Sequence, residues 1–193
     1  MLYSFARSLF VLFFRIFYRY KFPRNQNIPA GEAFIVCANH TSYLDPPFVG
    51  CLISGKKVHF MAKEELFGYF LLGRGIKAVG AFPVKRGAID RGALTYSINL
   101  LKEGHVLGVF PEGKRIKTGN LGEILHGPAY IALKSQRPIL PVVIKWPSGI
   151  FRPVRVKTGS LIYFQDEGKI GKKAIENASR KVAEEMAGLW SDL

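Results

Sequence analysis

Apolar residues in this chain gather into short runs separated by mixed, turn-rich stretches, and the period inside each run predicts its element. Five runs of strand length occur at 33–38, 57–62, 79–84, 106–110 and 139–144. Between and after them, wider spacing predicts helices at 46–53, 64–72, 89–102, 124–135 and 172–190, the last with Ile175, Val182, Met186 and Leu189 on one face. Alternation of this kind specifies an α/β fold: a single domain with a mixed, mostly parallel sheet flanked by helices. No internal repeat, low-complexity tract or linker interrupts it.

The first 22 residues follow a different pattern. Unbroken apolar chain runs only from Leu9 to Phe14, closely bounded by Arg7 and Arg15, which is too short to span a bilayer. No small-residue cleavage site follows, as a secretory signal would require. Wound at about 100° per residue, Ser4, Arg7, Ser8, Arg15 and Arg19 fall on one polar stripe. Phe5, Leu9, Phe10, Phe13, Ile16 and Phe17 cover most of the rest. The expectation is an amphipathic helix over 1–22, lying in the membrane interface as a monotopic anchor, followed by the α/β domain over 23–193. The competing reading is an ordinary helix packed on the domain.

Composition changes the picture in one respect. The 193 residues are 48% hydrophobic and carry a formal charge of +14, so nucleic acid, anionic lipid and acidic protein are all electrostatically suitable partners. Nucleic acid is set aside, because neither an interleaved aromatic and basic platform nor a recognisable binding motif is present. Arginines near an anionic membrane surface add about 1 kcal/mol each, which favours the lipid reading. Cys37 and Cys51 sit in apolar surroundings without metal-ligand spacing and read as buried, reduced thiols; no metal and no bound cofactor are expected.

Candidate chemistry begins directly after the first strand. His40 and Asp45 stand five positions apart in Asn39-His40-Thr41-Ser42-Tyr43-Leu44-Asp45. Neutral imidazole takes a proton from a hydroxyl when a carboxylate holds its other nitrogen as a donor, a role open to Asp45 if the loop folds back. The bland alternative is that Asp45 caps a helix starting at Pro46. Two further strands end in charged clusters, Pro83-Val84-Lys85-Arg86-Gly87 and Pro111-Glu112-Gly113-Lys114-Arg115, and a fourth block is Ile139-Leu140-Pro141-Val142-Val143-Ile144. If their strands share one parallel sheet, the first three charged sets converge at its C-terminal edge, where such sheets bind ligands.

In this order and spacing the four blocks resemble the motifs of the glycerolipid acyltransferase family, the bacterial 1-acylglycerol-3-phosphate enzymes in particular, over 29–146. The resemblance implies an HX4D-type O-acyltransferase that moves a fatty acyl group from a thioester to the sn-2 hydroxyl of lysophosphatidic acid, giving phosphatidic acid. It implies His40 as base and Asp45 as its orienting partner. It also implies acceptor-phosphate binding by Arg86 and Arg115, aided by Lys85, with Glu112 and Gly113 forming a substrate-positioning turn. The co-substrate would be acyl-CoA or acyl carrier protein, and the place the cytoplasmic face of the cell membrane. Lys114 and Ile116 depart from the commonest third motif, and Lys85 replaces a frequent acidic residue, making the pocket more basic. Glycerol 3-phosphate or another lysolipid is the alternative acceptor, and a catalytically silent lipid-binding protein the alternative function. His59, His105 and His126 match no motif and read as structural, while the apolar stretch 66–72 reads as core, or as the lining of an acyl groove.

Overall fold

The computed structural model describes residues 2–22, 31–85, 87, 89–116, 120–164 and 170–193. Six strands form one sheet in the order β3-β2-β4-β1-β5-β6. These are β1 (Ile35–Ala38), β2 (Val58–Lys63), β3 (Phe82–Val84), β4 (Val106–Val109), β5 (Ile139–Lys145) and β6 (Arg155–Thr158). All neighbours run parallel except β6, which pairs antiparallel with β5. Helices α1 (Leu2–Phe17), α2 (Asp45–Leu52), α3 (Phe70–Ala78), α4 (Arg91–Lys102), α5 (Gly127–Ser135) and α6 (Lys172–Ser191) complete it.

Burial on both faces explains the near-continuous apolar runs in the sequence. On one face Ile35, Cys37, Leu107 and Val143 pack against Leu101 of α4, Ile131 of α5 and Met186 of α6. On the other Val36, Ala38, Val142 and Ile144 meet Phe14 of α1 and Phe48 and Leu52 of α2.

Three departures from the expected elements have identifiable causes. The helix expected at 64–72 is a 3-10 turn, Glu64–Gly68, broken by extended backbone at Tyr69 before α3 begins. A glycine is required inside α3 where it folds back on that turn, since a Cβ on Gly73 would lie 2.5 Å from the Phe67 carbonyl oxygen. The strand expected from 79 starts only at Phe82, because Val79 and Gly80 close α3 and Gly80 takes φ 102°. Strand β6 escaped notice because Arg-Val-Lys-Thr has too few apolar residues; basic side chains at the sheet's edge discourage pairing with a further chain.

Helix α1 lies against α2 and buries Phe14 completely, its ring 5.0 Å from Phe48 and 6.0 Å from Trp146. Arg7 does not join the polar stripe. It turns inward, and its Nη2 donates to the Cys51 carbonyl at 2.9 Å, satisfying an acceptor at the end of α2. Opposite this seat, Leu2, Phe5, Leu9, Leu12 and Ile16 recur every three or four residues and are exposed, Phe5 by 70%. Exposed Ile150 and Phe151 extend this apolar stripe past the end of α1: the Phe151 amide donates to the Phe17 carbonyl at 2.6 Å, and the two rings lie 5.5 Å apart. The helix stops at Phe17, short of the expected 22, as Arg19 enters the left-handed region at φ 48°. The boundary expected at 22/23 adjoins 23–30, outside the described residues. Among the described residues no helix is long and apolar enough to cross a membrane.

Candidate active site

The loop after β1 is held by side chains that take over from the sheet. Beyond Ala38 the β1–β5 ladder is continued by the Asn39 amide, whose Nδ2 donates to the Ile144 carbonyl at 3.0 Å while its Oδ1 accepts from the Ile144 N–H at 2.7 Å. This lets the main chain turn away at His40 without stranding buried polar groups.

His40 is then fixed on every side. Its amide donates to Glu112 Oε2 at 2.7 Å and its carbonyl accepts from the Ile116 N–H at 2.7 Å. The ring stacks on Phe110, centroids 4.2 Å apart, and Phe110 on Phe60 at 5.7 Å. Nδ1 lies 2.9 Å from Asp45 Oδ2. With a carboxylate there, Nδ1 carries the proton and Nε2 keeps its lone pair for a substrate.

Asp45 is fully buried yet well supplied with donors. Oδ2 also accepts from the Thr41 and Ser42 amides at 2.8 and 2.7 Å, and Oδ1 accepts from Trp146 Nε1 at 2.5 Å. As the first residue of α2 it lies at the positive end of the helix dipole. The capping alternative does not hold, because Leu44 occupies the cap position and the carboxylate bonds back to its own loop.

Glu112 joins two blocks of the site. Its described partners are two backbone amides, His40 on Oε2 and Gly122 on Oε1 at 2.9 Å, where the resemblance implied a part in a substrate-positioning turn. Burial pushes its carboxyl upward, against the opposing pull of those amides. Gly113 takes φ 67°, conformation that glycine adopts without strain. Arg115 follows, its guanidinium 3.4 Å from the centre of the Tyr43 ring and so beside the His40–Asp45 loop.

Lys85 shares this edge but stands farther off. It follows β3, and with β2 and β4 intervening its strand lies about 14 Å from β1 at ordinary strand spacing. The side chain is exposed, and its amide donates to Asp90, the N-cap of α4. Arg86 lies outside the described residues. Beside β3, a cavity of about 790 Å³ is lined by Lys57, His59, Phe67, Arg74, Phe82 and Tyr96 among others. Of the stretch 66–72 only Phe67 faces it, and Tyr69, Phe70 and Leu71 are exposed, so that stretch is not core.

The remaining histidines stay away from the His40–Asp45 pair. The His59 and His105 rings lie 5.3 Å apart, tilted by 49°, with burial and then Lys57 lowering the His59 pKa, and His126 bonds Ser179 at 2.9 Å, tying α5 to α6. Both cysteines are free and buried, and burial pushes the Cys51 thiol up to about 12. Sequence reasoning missed Trp146. The available signal was topological: β5 neighbours β1, so an aromatic just past its C-terminal end falls beside the His40 loop. Chemically, the assembly offers an imidazole able to take a proton at Nε2, with an arginine held alongside.

Comparison with known proteins agrees with this layout. The family model described as Acyltransferase matches residues 19–145. A 1-acyl-sn-glycerol-3-phosphate acyltransferase of Bacillus subtilis (strain 168) is 33% identical over 123 residues, 64% of this chain and 61% of that protein, so the match spans under two thirds of that relative. One from Streptococcus pneumoniae (strain ATCC BAA-255 / R6) is 30% identical across 98% of this chain and 73% of its own. The crystal structure of the 1-acyl-sn-glycerophosphate (LPA) acyltransferase PlsC from Thermotoga maritima superposes with a TM-score of 0.72 at 28% identity, covering 98% of this chain and 77% of that one.

Proposed function

This chain belongs to the acyltransferase family, and from that premise we propose that it transfers a fatty acyl group from a thioester to the sn-2 hydroxyl of 1-acylglycerol 3-phosphate, forming phosphatidic acid. The observation that carries the reading is the 2.9 Å contact of His40 Nδ1 with a buried carboxylate. His40 Nε2 takes the hydroxyl proton as the oxygen attacks the thioester carbonyl. The tetrahedral oxyanion collapses, the C–S bond breaks, and the departing sulfur recovers the proton from His40. No protein nucleophile enters, and the acyl-CoA or acyl carrier protein is co-substrate, not cofactor.

The acceptor's phosphate falls to Arg115, whose planar guanidinium suits bidentate contact, with Lys85 as an outer basic group and Arg86 assigned to the phosphate by its motif position alone. Purified protein in detergent, supplied with lysophosphatidic acid and either thioester, should form phosphatidic acid; silence with both donors would sink the proposal. Arg115→Ala should raise KM for lysophosphatidic acid by about 10- to 100-fold, as loss of a charge-assisted bond of about 1.5–3 kcal/mol requires. Acylation of a neutral lysolipid should change little. An equal loss with both acceptors would remove Arg115 from phosphate recognition.

The exposed stripe on α1 supports a peripheral, monotopic seat on the membrane, with residues 1–22 as anchor and 23–193 as catalytic domain, on the cytoplasmic face where the thioesters are found. Exposed Arg15, Arg19 and Arg152 flank the apolar residues and suit anionic headgroups. Substituting both Leu9 and Leu12 with glutamate should cut partition onto anionic vesicles at least about 100-fold, given about 1.5–3 kcal/mol per inserted side chain. Their exposure means the fold should lose no more than about 0.5 kcal/mol. Sedimentation with vesicles reads the first effect and thermal melting the second; undiminished vesicle binding would exclude this stripe as the anchor.

A further inference from the structure

Strand β5 leaves the sheet beside the His40 loop, and the first residue past it, Trp146, fills the gap between that loop and the N-terminal helix. Its ring lies 5.0 Å from Tyr18, 5.5 Å from Phe48 and 6.0 Å from Phe14. Its Nε1 reaches Asp45 Oδ1 at 2.5 Å. The two oxygens of Asp45 are unequally served: Oδ2 meets His40 and two loop amides, whereas the indole is the described donor on Oδ1.

We propose that Trp146 is a positioning residue, which fixes the plane of the Asp45 carboxylate and thereby the axis of His40, and that α1 and the turn after it keep the indole in place through Phe14 and Tyr18. The inference rests on the proposed roles of His40 and Asp45. A carboxylate held at one oxygen can rotate about its own bond and redistribute the donors on the other. Held at both, it presents Oδ2 to Nδ1 in a single orientation. The rings of Phe14, Tyr18 and Phe48 pack against the half-buried indole and restrict its movement. Phe14 is the one buried residue of α1, so the contact that seats the helix also seats the indole.

Trp146→Phe keeps an aromatic ring and removes the N–H. It should lower kcat on the order of 10-fold, the scale at which lost outer partners disturb a site, and leave KM for both substrates within about twofold. With the indole donor gone, the acid limb of the rate profile should move to higher pH. Among the described residues, His40 and Glu112 are titratable groups that interact with Asp45. Phe14→Leu, which loosens the ring's seat without touching the donor, should shift both quantities in the same direction by less. A purely structural role would lower the melting temperature and leave the kcat to KM split and the acid limb where they were.

The chain has only two tryptophans, so the indole N–H resonances of the unmutated protein number two, and Trp190→Phe assigns them. The Trp146 resonance should move with pH over the range in which activity is lost. A stationary Trp146 resonance, or a Trp146→Phe enzyme with unchanged kcat and acid limb, overturns the inference. The resonance test also stands if the variant fails to fold. If the unmutated protein proves inactive while its Trp146 resonance titrates, the acyl-transfer reading fails and the indole contact with Asp45 survives.

Discussion

Turnover by the His40→Ala variant should fall by about 10²- to 10⁴-fold, the range general-base catalysis supplies, while the protein remains folded. Proton removal from the acceptor hydroxyl needs a lone pair at Nε2, and alanine leaves only water to provide it. The fold should tolerate the change. His40 sits at the end of a strand whose hydrogen bonds come from its main chain, and these persist in alanine: the amide to Glu112, the carbonyl to Ile116. What is lost is the stack on Phe110 and one of four donors on Asp45, a cost of about 1–3 kcal/mol. Initial rates with saturating thioester, alongside thermal melting, separate the two effects. A folded variant retaining a tenth or more of the rate would remove His40 from the proton transfer.

The part of the site legible in the sequence is the part that topology alone creates. His40, Glu112, Arg115 and Lys85 each follow a strand, and parallel strands in one sheet deliver them to one edge whatever their order. Sequence could not give that order. With β2 and β4 between β3 and β1, Arg115 is the cation beside His40 and Lys85 an outlying one, a distinction invisible in the motif spacing.

Contacts made at right angles to the chain were the harder ones. Arg7 looked like part of a polar helix face because helical periodicity cannot reveal that a neighbouring helix end offers an unpaired carbonyl. Glu112 looked like a side chain for substrate, yet its carboxylate closes the space between two loops, which requires both loops to be in place. The motifs give no sign of the contacts of Trp146 and Asn39, since each acts on a residue about a hundred positions away. Strand β6 and the split at Tyr69 were lost for a plainer reason: an exposed edge and a short extended joint have no hydrophobic period to read.

Asp45→Asn should cost more than its single-atom change suggests, with kcat falling about 10⁴-fold, the effect of the same exchange in the serine-protease triad. The buried carboxylate is surrounded by donors alone: the His40 ring, two loop amides and the Trp146 indole. An asparagine amide replaces one acceptor oxygen with an NH₂ group. If that group faces His40, Nδ1 must accept, the proton moves to Nε2, and the lone pair needed for the hydroxyl is gone. If it faces Trp146, two donors oppose each other in a buried site. Either orientation leaves buried donors unpaired, at about 1–3 kcal/mol each, so a fall in melting temperature should accompany the fall in rate. Asp45→Glu keeps the charge but lengthens the side chain by a methylene in a packed pocket, and should recover stability less well than it recovers acceptor capacity. The kcat of Asp45→Asn decides the matter: a value within tenfold of the unmutated enzyme, in a folded protein, would show that the orientation of His40 does not depend on this carboxylate.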